Sequence, residues 1–375
     1  STASSENSEN PPPMPRALFH LIIVLTISFS ATPAVADTPD VPPDTATATT
    51  GKQPRRLSLI KRFFREFDNY DTAYVMPNRY NFTAMMQTST SSQSCRLAGF
   101  PPDGPSQSLS MSPRSSVKVG PYFGWRWLFF GYTFDVGRVG SGQTRREFNL
   151  SLYSAMLGCD LIYVRGDGGY RLKRVTGFDG IDEKAYARYD FHGLETTTMA
   201  VNAYYIFNHR RFSYPAAFSQ STVQRRSAGS WKVGFQYCRH MLRFSPEMLP
   251  QPLQAGLIDQ LRISEVRYND YSLNVGYAYN WVFAPGFLLA VSAAPAVGFK
   301  QSVGEGQRER LFRFQNINFD VITRCGLVWN SGKWFAGASL VSHVYAYRKK
   351  TFSLTNTLAY GYIYAGFYFH KKKQR

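Results

Sequence analysis

The sequence is short of cysteine, short of negative charge and short of long apolar runs. Its four cysteines, Cys95, Cys159, Cys238 and Cys325, lie far apart with no C-x-x-C pair, so zinc and redox spacings are both missing. Charged residues make up only 18% of the 375, and the 25 Asp+Glu are outnumbered by 43 Lys+Arg. Beyond the N-terminal region no stretch approaches the roughly 18 uninterrupted apolar residues of a membrane helix. A mean hydropathy of −0.29 is likewise too polar for a bundle of such helices. Neither shortage excludes a barrel, because half of each barrel strand faces a polar interior.

What is abundant is aromatic: 24 Tyr and 29 Phe, residue types suited to strands and to water–lipid boundaries. They fall in a pattern. From Tyr271 to Phe283 every odd position is large and apolar (Tyr271, Leu273, Val275, Tyr277, Tyr279, Trp281, Phe283), whereas the even ones are small or polar almost throughout. A period of two sorts side chains onto the two faces of a strand. An ordinary strand runs about five or six residues and a tilted membrane-crossing one about nine to eleven. The pattern recurs over 196–208, 230–238, 316–329 and 333–347. Further strands are expected over 79–88, 116–124, 125–137, 147–164, 287–300 and 353–369. Ten to twelve strands result, with twelve preferred. The expected fold is all-β, an antiparallel transmembrane barrel, because a closed sheet leaves no edge for lipid to solvate.

On this reading one face meets lipid, with Tyr279, Trp281, Phe283, Trp329 and Trp334 at its boundary with water. The other face would line the lumen with Asn202, Lys232, Gln236, Asn274, Asn316, Asn318, Asp320, Arg324 and His343. Rings of charged groups can select solutes in a pore. The same residues can equally pair with one another and fill a narrow barrel.

The region 1–36 reads as an export signal with its core at 14–36. Arg16 leads, Ala17 to Phe29 is apolar, and Ala34-Val35-Ala36 offers a cleavage site. Residues 37–57, rich in Pro and Thr, read as a disordered linker. Over 58–69, Leu59, Phe63 and Phe67 share one face of a basic amphipathic helix. The barrel domain would occupy 70–370 and a basic tail 371–375. Connections come in two sizes: tight turns at Ala284-Pro285-Gly286 and Asn330–Lys333, and long polar loops at 165–191, 242–269 and 301–311. Short turns on the periplasmic side and long loops outside are the outer-membrane arrangement. The long connection Asn208–Ser230 stands where a short turn is expected.

Three segments, DTAYVMPNRYNFTAMMQ (Asp71–Gln87), VGPYFGWRWLFFGYTFDV (Val119–Val136) and FNHRRFSYPAAFSQSTVQRRSAGSW (Phe207–Trp231), resemble the domain-of-unknown-function family 4421. The likeness runs from about Asp71 to Phe369. It implies a β-rich exported protein of Bacteroidota-type Gram-negative bacteria, and it implies no activity. Tyr360–Phe369 also has the aromatic alternation of a last strand that barrel-assembly machinery recognises, although the chain runs on past Phe369.

The net charge of +18 would suggest nucleic acid in a cytoplasmic chain. Behind an export signal the polyanions at hand are lipopolysaccharide phosphates and other envelope components. The expected partners are therefore outer-membrane lipid, lipopolysaccharide and other envelope proteins, with no nucleic acid. No catalytic constellation is readable. Ser342 and His343 are adjacent on a strand and so face opposite ways. Asp179, Asp182, Glu183, Asp190 and His192 share one loop without a motif. No cofactor, no metal site and no enzymatic activity are expected. Three functions stay open: a passive pore or solute-binding barrel with a polar lumen, a structural or docking subunit of an envelope complex, and, third, a barrel hydrolase.

Overall fold

A computed structural model of the chain describes residues 69–372, apart from 115, 126–127, 132–133, 137–143, 305–306 and 309–316. The chain divides into two units, 1–56 and 57–375, and the described residues all belong to the second. The export signal, the linker, residues 58–68 of the helix expected over 58–69, Asn316 and residues 373–375 of the basic tail lie outside the described residues.

In the first part of the described chain the strands are β1 (Val75–Pro77), β2 (Tyr80–Gly99), β3 (Gln107–Pro113), β4 (Ser116–Trp125), β5 (Leu128–Gly131) and β6 (Phe134–Asp135). Then come β7 (Thr144–Tyr153), β8 (Leu157–Asp167), β9 (Tyr170–Thr176), β10 (Asp190–Phe191) and β11 (Leu194–Ile206). A short helix α1 (Tyr214–Phe218) and β12 (Thr222–Gln224) precede β13 (Ala228–Phe244), which is followed by the helix α2 (Gln251–Ala255). The remainder is β14 (Glu265–Ala284), β15 (Phe287–Gly304), β16 (Gln307–Arg308), β17 (Ile317–Asn330), β18 (Trp334–Arg348) and β19 (Phe352–Lys371).

All of these strands except β1 and β12, which pair with each other, form a closed antiparallel barrel. Closure runs along β19 and β2, in register from Phe352 opposite Gly99 to Lys371 opposite Tyr80. Several strands are halves of one stave. β3 and β4 both lie along β2, offset by one residue where Pro113 interrupts them. β5 and β6 continue one another along β4. β8 runs into β9 through Gly168 and Gly169, both at positive φ, a backbone state that glycine adopts without steric cost. Counting each such pair once, joining β10 to β11 and setting aside the two-residue β16 beside β15, the described barrel strands make twelve staves. After the glycine pair β9 leaves β7 and pairs directly with β3, skipping β5 to β7.

Alternation decides the two faces. On the outside Leu273 is 64% exposed and Phe319 69%, while inward-pointing Asn274 is 1% exposed. So broad an apolar exterior would be a liability in water and is what a bilayer solvates. No described helix is long and apolar enough to cross a membrane.

Some expected boundaries need correction. The single strand expected over 147–164 is two, β7 and β8, turned at Ser154 by a hydroxyl that accepts from the Leu157 amide at 2.9 Å. The loop expected over 165–191 shrinks to 177–189, because β8 runs to Asp167, β9 holds Tyr170–Thr176 and β10 holds Asp190–Phe191. The loop expected over 242–269 shrinks from both ends, as β13 runs to Phe244 and β14 begins at Glu265. The strand expected over 79–88 continues to Gly99. Its upper half alternates Ser91, Gln93 and Cys95 inward with polar residues outward, a contrast too weak to read beforehand.

Candidate functional site: the barrel interior

The interior has three levels, set by where each strand places its inward residues. At mid-height the side chains are polar and charged. Asp160 on β8 and Arg324 on β17 form an ion pair, with both side chains almost wholly buried. The strand order puts four staves between them one way round and six the other, so this pair spans the bore. Asp160 also accepts from Ser151 Oγ at 2.8 Å and from Asn202 Nδ2 at 3.1 Å. Asn274 donates in turn to Asn202 Oδ1 at 3.1 Å. The Arg324 guanidinium donates to Tyr153 Oη at 2.7 Å and lies 5.8–5.9 Å from the rings of Tyr153, Tyr204, Tyr214 and Phe218.

A second charged group sits toward the long-loop end. Lys300 on β15 donates to Asp320 at 2.7 Å and lies 3.3 Å from Asp270, all three fully buried. Beside it Cys238 Sγ is 3.0 Å from His240 Nε2, and His240 Nδ1 is 3.1 Å from Thr198 Oγ1. That spacing is within reach for a thiol and a base, yet both side chains are buried and enclosed by Tyr268 and Tyr345. More hydrogen bonds join non-adjacent staves here. Gln93 on β2 donates to Thr196 on β11 at 3.0 Å, and Asn356 on β19 donates to Thr198 at 3.1 Å.

At the short-turn end the connection between β11 and β13 folds back into the bore. Ser213 caps α1 by accepting from the Ala216 amide, and Pro215 sits in the first turn, both common at helix starts. Tyr214 is buried and donates to Ser292 Oγ at 2.7 Å, and Lys232 donates to the Tyr214 hydroxyl at 3.1 Å. Gln220 donates to Tyr364 Oη at 2.6 Å, and Tyr368 donates to the Gln220 carbonyl at 2.6 Å. Asn280 donates to the Ser213 carbonyl at 2.8 Å. Gly326 on the wall faces the plug, where a Cβ would make ordinary contact at 3.4 Å from the Phe218 ring and 3.5 Å from the Ala217 carbonyl. β12 pairs with β1, which ties the start of the described chain to this plug.

At the long-loop end the interior turns apolar. Leu97, Leu109, Leu172, Leu194, Leu242 and Phe244 meet Leu249, Leu253, Leu257 and Leu261 of the loop between β13 and β14, which folds over as a lid around α2. Outside this lid Asp190 pairs with Arg171 at 2.6 Å and Arg114 at 2.9 Å. The Arg171 hydrogen bond, with Arg114 beside it, holds the Asp190 carboxyl below the usual carboxylate range.

Of the residues expected to line a lumen, Asn202, Lys232, Gln236, Asn274, Asn318, Asp320, Arg324 and His343 are all placed inside and are all buried, while Asn316 lies outside the described residues. Asp320 pairs with Lys300 and Arg324 with Asp160; the two do not pair with each other. Tyr279, Trp281, Phe283, Trp329 and Trp334 are exposed on the outer face near the short turns. Ser342 is half-buried beside a fully buried His343. The loop carboxylates are used locally: Glu183 accepts from the Gly177 amide at 2.7 Å, Asp182 from the Lys184 amide at 3.1 Å, and Asp190 pairs as above. No cluster of three or more potential metal ligands occurs among the described residues. Sequence reasoning missed Asp160, Asp270, Lys300 and the whole α1 plug. The small apolar run Tyr214-Pro215-Ala216-Ala217-Phe218 inside an Arg-flanked connection was its one visible signal.

A family model described as "Domain of unknown function (DUF4421)" matches residues 69–369. The chain belongs to this family. No curated protein matches the DUF4421 chain. Among solved structures it is similar to the outer membrane protease OmpT from Escherichia coli, at 8% identity and a TM-score of 0.35, with 78% of this chain and 97% of that one covered. It is also similar to a Pseudomonas aeruginosa FadL homologue, at 8% identity and 0.22, covering 77% and 91%. A third is the P. putida toluene transporter TodX, at 8% identity and 0.17, covering 78% and 91%. Overlays this loose carry no argument about what the DUF4421 chain does.

Proposed function

We propose that this protein resides in the outer membrane of a Gram-negative bacterium as a closed barrel and serves as a docking subunit for other envelope components. The observation that carries the reading is the filled bore. The Asp160–Arg324 pair crosses the bore at mid-height, and both ends are covered by folded chain. With short turns toward the periplasm, the plug offers that compartment Arg210, Arg211, Arg225 and Arg226, all exposed. Arg211 is 3.5 Å from Asp71, the one acidic residue in 69–79 and 207–227. A cationic face of this kind favours an acidic partner.

The test has two arms. In planar bilayers the purified protein should be silent. Crosslinking in intact membranes should yield a partner at fixed stoichiometry, lost in an Arg225→Glu, Arg226→Glu variant that still folds. Steady conductance by the unmodified protein, or crosslinking unchanged by the charge reversal, would overturn the reading.

A second reading, a gated pore, is favoured by one observation. The plug is a single contiguous connection entering from one end, so its withdrawal would open that end without breaking a stave. A variant lacking residues 212–224 would then conduct where the unmodified chain does not. The hydrolase reading has no such support, because the Cys238–His240 pair is sealed from both ends.

A further inference from the structure

The outer wall carries a groove that the bore does not explain. It lies across β2, β4, β17, β18 and β19 near the short turns and measures about 920 Å³. Ala84, Ala336 and Ala365 form its floor between walls built by Trp329, Trp334 and Phe123. Its volume is within the roughly 300–1,000 Å³ of small-molecule sites. The rim is charged in one sense only. The segments 78–86, 119–124, 329–337 and 363–372 contain no acidic residue, yet they bring Arg79, Lys333, Lys371 and Lys372 to the short-turn end. Arg79 and Lys333 are exposed. Backbone bonds fix both: the Lys372 amide donates to the Arg79 carbonyl and the Tyr368 amide to the Lys333 carbonyl, each at 2.8 Å. Lys333 precedes the floor residue Ala336 by three positions, roughly 10 Å along the strand. That separation suits a headgroup phosphate above an acyl chain.

We propose that this groove binds an anionic phospholipid of the periplasmic leaflet, its acyl chain on the alanine floor and its phosphate at Arg79 and Lys333. The inference rests on the membrane residence proposed above. A second copy of the chain fits less well, because joining two such rims would bring like charges together.

Trp334 is the built-in reporter. A full-length variant with the other five of its six tryptophans changed to Phe would be reconstituted in phosphatidylcholine vesicles. These would contain a few mole per cent of brominated phosphatidylglycerol or, separately, of brominated phosphatidylcholine. Preferential quenching of Trp334 by the anionic lipid is expected. Arg79→Gln with Lys333→Gln should weaken that preference by about fivefold per cation removed, and Ala336→Phe should reduce it by filling the floor. Should the reporter variant not fold, native mass spectrometry of the unmodified protein with equal amounts of the two unlabelled lipids reads the same preference. Equal quenching, or equal retention, would mean annular lipid only and would overturn the site. Vesicles made wholly of brominated phosphatidylcholine that leave Trp334 unquenched would instead show that the chain is not in the bilayer, and the site would fall with that premise.

Discussion

At the short-turn end a segment of chain enters the bore and is held by directed polar bonds. At the long-loop end the staves' own side chains turn apolar and a loop packs over them like the lid of a soluble core. The plug depends on Tyr214, Gln220 and Asn280 meeting particular atoms of the wall. The lid depends on area buried, spread over Leu249, Leu253, Leu257 and Leu261. Directed bonds can be released as a set by moving one connection. A leucine-lined interior yields only by unpacking, which costs about 25 cal/mol for each Å² exposed. The two ends therefore differ in how they could open, and mid-height decides whether opening either one matters.

The largest expected effect is at that mid-height tie. Arg324→Ala should cost about 3–5 kcal/mol, because it leaves Asp160 buried and unpaired. Urea unfolding in detergent micelles would measure this, and a double Asp160→Asn, Arg324→Met variant should recover much of the loss. Tyr214→Ala removes a buried ring and two hydrogen bonds and should cost about 3 kcal/mol. In planar bilayers it should also give intermittent conductance if the tie at Arg324 loosens with it. Leu253→Ala, the matching truncation in the lid, should cost about 2–3 kcal/mol with the bilayer still silent. Conductance from the lid variant and none from the plug variant would reverse the comparison. Leu273→Arg, on the lipid face near mid-height, should cost about 2–4 kcal/mol and leave both closures intact.

The smallest effect is expected outside the lid. Asp190→Asn should cost at most about 0.5 kcal/mol, since all three partners are substantially exposed. The carboxyl is held below its ordinary value of 3.8, so its contribution is present above that value and fades as pH falls through the lower folded one. A melting series at acid pH should show that slope in the native protein and not in the variant.

The strands and their two faces were legible because a period of two leaves a direct mark in the sequence. Tyr271–Phe283 and Ile317–Trp329 have the faces that their alternation assigns. Where both faces of a strand are mixed, as over Ser89–Gly99, or where two strands join through a three-residue turn, as at Ser154–Met156, the mark fades and the boundaries were misplaced. The interior positions followed from the same alternation, but their partners did not. Nothing local ties Arg324 to Asp160, 164 positions away. Connections carry no period at all, so the plug left only a trace in composition and the lid's leucines read as part of a polar loop.

β9 skips over β5 to β7 to reach β3, and this sets the shape of the vessel. Diameter grows with the number of strands, so the wall tapers from a broad base to a slimmer neck. The loop around α2 is then enough by itself to stopper the neck, while at the broader base a connection of about the same length is joined by β1.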